Sequence, residues 1–100
     1  MPVHNEDVSQ IFERIASLLE IEGDNPFRIR AYRNAARTVR GLSSEVSTLL
    51  QNGEDLSRLP GIGKTLAEKI GEIVDTGSLA ALVRLQRQVP TSSRRQATLV

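Results

Sequence analysis

Apolar residues recur at intervals of three and four along most of the chain, which is the spacing that places them on one side of an α-helix. The first set predicts a helix that begins after Asn5, as its N-cap, and ends at Gly23. The apolar stripe of this helix is formed by Val8, Ile11, Phe12, Ile15, Leu18 and Leu19.

A second helix is predicted to begin at Asn25-Pro26, because Asn is a good N-cap and Pro fits the first helical position. Gly41 is expected to end it. The helical spacing assigns four residues of this helix to the core, and they are Phe27, Ala31, Ala35 and Val39.

The second half of the chain predicts shorter helices. A third helix would be capped by Ser43 or Ser44 and would close at Asn52-Gly53, and a fourth would cover about residues 54–58. After a tight Pro-Gly-Ile-Gly turn, a fifth helix is predicted from about Lys64 to Asp75, with an apolar stripe of Leu66, Ile70, Ile73 and Val74. A last helix would begin near Leu79, Leu82, Val83 and Leu85 and end at Pro90.

No segment shows the alternating pattern of a strand, so the predicted fold is all-α, a compact bundle of short helices. One hundred residues suffice for one modest domain with one core. We assign residues 1–89 to this helical domain. Residues 90–100 lack periodicity and carry two arginines, and they are predicted to be a flexible basic tail.

Composition excludes several kinds of site. The chain has no cysteine, so disulfides, zinc–thiolate sites and thiol catalysis are excluded. Its single histidine, His4, cannot hold a metal alone and is expected at the surface, so no metal site is predicted. No apolar run is long enough to predict a membrane span, and we expect a cytoplasmic protein that does not bind membranes.

The net charge of +1 conceals a strongly basic segment, since residues 26–42 contain five arginines and no acid. Four of these arginines follow helical spacing and are predicted to form one stripe: Arg30, Arg33, Arg37 and Arg40. Such a stripe favours binding to the phosphates of a nucleic acid. The alternative is a solvated face whose arginines pair with acids of the first helix, namely Glu13, Glu20 and Glu22.

The turn before the fifth helix predicts an anion site. Gly61 and Gly63 lack a Cβ, so another molecule can approach the backbone, and the amides that begin the next helix have no intrahelical partner. Lys64 and Thr65 stand at that helix start. A β-branched residue at either glycine is expected to damage both the fold and DNA binding. The alternative is a glycine-rich connector that binds nothing.

The stretch Leu59-Pro60-Gly61-Ile62-Gly63, followed by Ala67 and Ile70, resembles the helix-hairpin-helix motif of DNA repair proteins, here at about residues 54–75. Together with NPFRIRAYRNAARTVRGL and the acidic first helix, it resembles the amino-terminal domain of family X DNA polymerases, especially the bacterial type. The resemblance covers about residues 5–89.

This resemblance implies a repair module that binds the backbone and the 5′-phosphate of gapped or nicked DNA without reading its sequence. It also implies 5′-deoxyribose-phosphate lyase activity through a lysine Schiff base, and the residue that matches the nucleophile is Lys69. Arg28 and Tyr32 match the 5′-phosphate contacts of the family. A monovalent cation at the hairpin turn fits the resemblance, and no other cofactor is expected.

The chain departs from the family pattern in ways that leave its lyase activity open. Ser57, Thr65 and Ala81 stand where family members place lysines of the lyase pocket. No polymerase domain with paired aspartates follows within these residues, so we expect no DNA polymerisation by this chain. The alternative function is a non-catalytic helical adaptor that binds a protein, such as a repair or polymerase partner.

The use of lysine is informative, because Lys64 and Lys69 are the two lysines among thirteen basic residues. Arginine is permanently charged and suits phosphate contacts, whereas lysine can lose its proton and attack an aldehyde. Lys64 is therefore interpreted as an electrostatic contact and Lys69 as the candidate nucleophile. The alternative is that both are ordinary surface residues.

Overall fold

A computed structural model describes residues 3–88, and within them it contains five α-helices and one short 3₁₀ turn, without a strand. The predicted all-α fold is thus confirmed. The helices are α1 (Asn5–Glu22), α2 (Pro26–Arg40), α3 (Val46–Gln51), α4 (Lys64–Thr76) and α5 (Ala80–Gln88), and the 3₁₀ turn spans Leu56–Arg58. The predicted tail at 90–100 lies outside the described residues.

The centre of the fold is the antiparallel pair α1 and α2, joined by a short connection in which Gly23 takes the left-handed conformation that ends α1. The two helices approach through small residues, because Ala35 and Ala36 are fully buried and the Ser9 hydroxyl donates to the Ala36 carbonyl over 2.9 Å. Helices α4 and α5 pack against α1, and α3 packs against α4.

Two predicted core residues of α2 are in fact at the surface. Phe27 is 74% exposed and Ala31 is also exposed, whereas Ala35, Val39 and Tyr32 are buried. The buried stripe of α2 runs through positions 32, 35, 36 and 39, and this faces α1. The assignment of Phe27 failed because, at about 100° per residue, Phe27 lies on a different side of α2 from this buried stripe.

The N-caps of α1 and α3 differ from the prediction. His4 rather than Asn5 occupies the N-cap position of α1, and its backbone amide donates to the Asp7 carboxylate over 2.8 Å. The Asn5 side chain instead accepts from the Val46 amide over 2.7 Å, so it caps α3 in place of the predicted Ser43 or Ser44. A side chain of α1 thereby fixes the start of α3.

The remaining boundaries follow the sequence closely. Asn25 caps α2 by accepting from the Phe27 amide over 2.8 Å, and Pro26 is its first residue. The fourth predicted helix is reduced to the 3₁₀ turn. Leu79 is buried just before α5, and Val83 of α5 is 39% exposed. Within residues 3–88 no helix is both long and apolar enough to cross a membrane.

Candidate nucleic-acid interface

The turn of residues 60–63 connects the 3₁₀ turn to α4. Gly61 has φ +73°, a left-handed conformation that side chains rarely adopt, so glycine is required here by the backbone. Ile62 is 2% exposed and its amide donates to the Leu59 carbonyl over 3.0 Å. The turn is therefore anchored in the core by one apolar side chain while its glycines remain exposed.

Gly63 plays a different part. It is the N-cap of α4 with an extended φ of −85°, and a Cβ at this position would meet no atom within 4 Å. The expectation that a β-branched residue here damages the fold therefore finds no support in a positive φ or in a steric clash at the Cβ, and it stays a prediction that rests on the N-cap position alone. The absent side chain instead leaves the beginning of α4 open to another molecule.

The start of α4 presents unpaired backbone donors. No side chain caps the helix, and its first intrahelical bond is from the Ala67 amide to the Gly63 carbonyl, at 2.9 Å. The amides of Lys64, Thr65 and Leu66 therefore have no intrahelical acceptor, and the positive end of the helix dipole coincides with them. Lys64 and Thr65 are exposed. This arrangement suits an oxyanion such as a phosphate.

Helix α2 supports the turn directly. The Thr38 hydroxyl donates to the Pro60 carbonyl over 2.8 Å. Thr38 and Pro60 also line a shallow cleft of about 250 Å³ together with Asn34, Arg37 and Gly61. The basic helix and the hairpin turn thus form one continuous surface, and Arg37 lies at their junction.

The four arginines of the predicted stripe are not equivalent. Arg33 pairs with Glu20 at 2.8 Å, and Arg40 pairs with Glu13 at 3.2 Å and with Glu6 at 3.3 Å. The hydrogen bond that Arg40 donates to the Glu13 carboxylate, aided by Glu6, raises the pKa of Arg40 above its ordinary value. The alternative in which the stripe pairs with acids of α1 therefore holds for these two arginines.

Arg30 and Arg37 behave differently. Neither has a carboxylate within 4.0 Å among residues 3–88, and Arg30 lies over the exposed Phe27 ring at 5.8 Å from its centroid. These two cations are thus available to an external anion. The sequence pattern alone did not separate them from Arg33 and Arg40, because the separation depends on where α1 lies.

Arg28 and Tyr32 lie one turn apart on α2, but they differ in accessibility. Tyr32 is 4% exposed and its ring meets Phe12 edge-on at 5.7 Å. Burial raises the pKa of the Tyr32 phenol, and the nearby Arg28 guanidinium opposes that shift. Arg28 is exposed and pairs with Asp24 at 3.1 Å.

Arg28 also lines a cleft of about 220 Å³, together with Glu22 at the end of α1, Asp24 in the connection to α2, and three residues of α5, Ala81, Arg84 and Leu85. Arg84 was not identified from the sequence, because nothing in the motif of α2 indicates which residue of α5 packs beside it. Lys69 and Tyr32 do not line this cleft.

Lys69 is partly buried on α4, between positions Leu66 and Ile73, which belong to the core. Lys64, in contrast, is exposed at the helix start. Whether Lys69 is a nucleophile remains a prediction.

Comparison with known proteins finds one matching domain family and several similar DNA polymerases. The family described as "Helix-hairpin-helix domain" matches residues 3–79. The DNA polymerase/3′-5′ exonuclease PolX of Bacillus subtilis is 35% identical over 88 residues, DNA polymerase lambda of Rattus norvegicus is 26% identical over 87, and DNA polymerase IV of Saccharomyces cerevisiae is 35% identical over 80.

These matches cover 79 to 88% of this chain but only 13 to 15% of the relatives, so the activities in their names are those of much longer proteins. The family match spans the hairpin turn, α2 and the acidic first helix. The chain belongs to the helix-hairpin-helix domain family and is homologous to the amino-terminal region of family X DNA polymerases.

Proposed function

We propose that this chain is a DNA-binding repair module that holds the sugar-phosphate backbone at gaps or nicks. The observation that carries the proposal is the position of Arg37, which lies beside the hairpin turn without an acidic partner among the described residues. Arg37 lines the cleft beside Gly61, and the open amides of α4 follow directly after Gly63. A strand that contacts Gly61 and Gly63 can therefore present phosphates to both.

The contacts expected from this surface are of the kind that position DNA rather than read its sequence. Backbone amides, Lys64, Thr65 and the arginines are donors suited to phosphate oxygens. Arg30 extends the basic surface along α2, and its partner Phe27 offers an exposed ring on which a base can stack. Binding should accordingly be nearly independent of base sequence.

A terminal 5′-phosphate fits the cleft that contains Arg28 and Arg84. Two guanidinium groups there face two carboxylates, Glu22 and Asp24. A terminal phosphate would replace Asp24 as the partner of Arg28 and would accept two hydrogen bonds from its guanidinium. An internal phosphodiester has fewer free oxygens and would bind less well in this cleft. Removal of the 5′-phosphate should therefore weaken binding to a gap.

The test compares Arg37→Ala with Arg40→Ala, since the two arginines share one helix and differ in their acidic partners. Arg37→Ala should weaken binding of a 5′-phosphorylated gapped duplex and reduce the slope of log affinity against log salt by about one. Arg40→Ala should have a smaller effect on both, because its charge is already opposed by Glu6 and Glu13. Equal effects of the two substitutions would contradict the proposed surface.

We further propose that Lys69 acts as the nucleophile of a 5′-deoxyribose-phosphate lyase. The neutral amine would add to the C1′ aldehyde of the ring-opened sugar, and loss of water from that adduct would give an imine. Removal of a C2′ proton then breaks the C3′–oxygen bond and releases the strand with its 5′-phosphate. Water finally hydrolyses the imine and frees Lys69.

Borohydride reduction of the imine provides the test, with incised abasic DNA as substrate. Lys69→Arg keeps the charge and removes the nucleophile, so it should abolish the covalent adduct while DNA affinity changes little. Lys64→Arg is the matched control and should still form the adduct. An adduct that persists in Lys69→Arg would exclude Lys69 as the nucleophile. A wild-type protein that forms no adduct would exclude lyase activity, whereas the DNA-binding proposal would still be tested separately by Arg37→Ala.

A further inference from the structure

A groove runs along α4 beside α3, and none of its lining residues belongs to α2. Two adjoining cavities of about 470 and 600 Å³ form it, and they share Leu50 and Gly71. Its floor is apolar, and besides these two residues it includes Leu56, Ala67 and Val74. We call it the α3–α4 groove.

Gly71 at the centre of this groove is not explained by the fold itself. It lies in the middle of α4, where glycine is less favourable than alanine, and its φ is not positive. A Cβ at Gly71 would meet no atom within 4 Å. Packing within the chain therefore does not require a glycine here, whereas close approach by another molecule would.

The edges of the groove are acidic. Glu54 and Asp55 border one end, Glu68 lies midway and Asp75 borders the other end, while Lys64 is the one base among the lining residues. This charge is opposite to that of α2 and would repel a DNA backbone. An apolar floor between acidic edges is complementary to a segment with apolar anchors and flanking cations.

We propose that the α3–α4 groove binds a basic amphipathic helix of a partner protein. The groove follows α4 from Lys64 to Asp75, which corresponds to roughly 17 Å and therefore to a partner helix of about twelve residues. Apolar residues of that helix, spaced three and four apart, would occupy the floor on either side of Gly71. Its Lys or Arg residues would face Glu68 and Asp75. The proposal does not depend on DNA binding.

The experiment uses a fluorescent peptide of about fourteen residues, built from Leu and Lys to form an amphipathic helix, and the same peptide with Glu for Lys. Anisotropy with the full chain should show saturable binding of the Leu/Lys peptide alone, and amide chemical shifts should change around Leu50 and Gly71. Failure of the Leu/Lys peptide to bind, or equal binding of both peptides, would overturn the proposal.

Three variants locate the site. Gly71→Leu should raise or preserve the melting temperature, since leucine favours the helical conformation. It should weaken peptide binding roughly tenfold or more, because the leucine side chain would fill the floor of the groove. Glu68→Lys combined with Asp75→Lys should have a similar effect on affinity. Glu20→Lys is the control for charge, because Glu20 lies on α1 outside the groove, and it should leave peptide affinity nearly unchanged.

Two further outcomes decide the identity of the occupant. Unchanged peptide affinity in Gly71→Leu would place the peptide elsewhere and would refute the groove. Arg94→Glu combined with Arg95→Glu should not alter peptide affinity; a clear increase would mean that the chain's own carboxy-terminal segment competes for the groove, which would refute an external partner.

Discussion

The two glycines of the hairpin turn should respond to the same substitution in different ways. Gly61 has φ +73°, and a valine forced into that conformation costs about 1–3 kcal/mol of folding free energy. For a domain of this size, that corresponds to a fall in melting temperature of roughly 5–20 °C. Gly63 has φ −85° and open space at its Cβ, so Gly63→Val should cost less than Gly61→Val, at most about 1 kcal/mol, which reflects the poorer N-cap preference of valine.

The effect of Gly63→Val on DNA affinity should be larger than its effect on stability. The valine at position 63 would cover the open amides at the start of α4, so Gly63→Val should weaken DNA binding about tenfold although the protein remains folded. Thermal unfolding by circular dichroism and anisotropy with a gapped duplex give the two quantities for each variant. Equal loss of stability in both variants would refute this reading of the backbone. Full DNA affinity in a folded Gly63→Val protein would refute the proposed role of the turn.

Three further predictions concern single side chains. Phe27→Ala should leave the melting temperature nearly unchanged, because the ring is 74% exposed. It should weaken binding to single-stranded gaps by about 1–3 kcal/mol, which is the cost of losing one stacked base. An unchanged affinity would exclude stacking of a base on Phe27. Tyr32 is the single tyrosine in a chain without tryptophan, so near-ultraviolet absorbance reports its ionisation alone. Its midpoint should lie above about 10, because burial raises its pKa, and the stability it contributes should be lost as pH rises through that midpoint; a midpoint at or below the ordinary value would contradict the buried phenol. The pKa of Glu45 is lowered by hydrogen bonds from His4 and the Asn5 amide, so stability should fall as pH decreases from about 4.3, and Glu45→Gln should flatten that loss in acid unfolding experiments.

Helical periodicity was sufficient for most of the fold. The stripes of α1 and α4 and the glycines at positions 23 and 41 mark helices whose observed ends differ from the prediction by a residue or so. The errors share one cause. Asn5 caps α3 rather than α1, and Phe27 is exposed rather than buried, because both outcomes depend on the position of a second helix. A local pattern contains no information about that position.

The same limit applies to the candidate site. The hairpin turn is a local motif, and its exposed glycines and uncapped helix start follow from the sequence. The division of the arginine stripe does not, since Arg33 and Arg40 reach acids of α1 that are distant in sequence. The cleft shared by Arg28 and Arg84 likewise requires the packing of α5 near the start of α2.

The most direct test of DNA backbone binding is the salt dependence of affinity for gapped duplexes of different base sequence. If Lys64, Arg37, Arg30 and Arg28 together neutralise about four phosphates, log affinity should fall against log salt with a slope near −3 to −4. The slope should be the same for every sequence, and affinity should be greater with a 5′-phosphate than without one. A slope near zero, or an affinity that depends strongly on base sequence, would contradict the account.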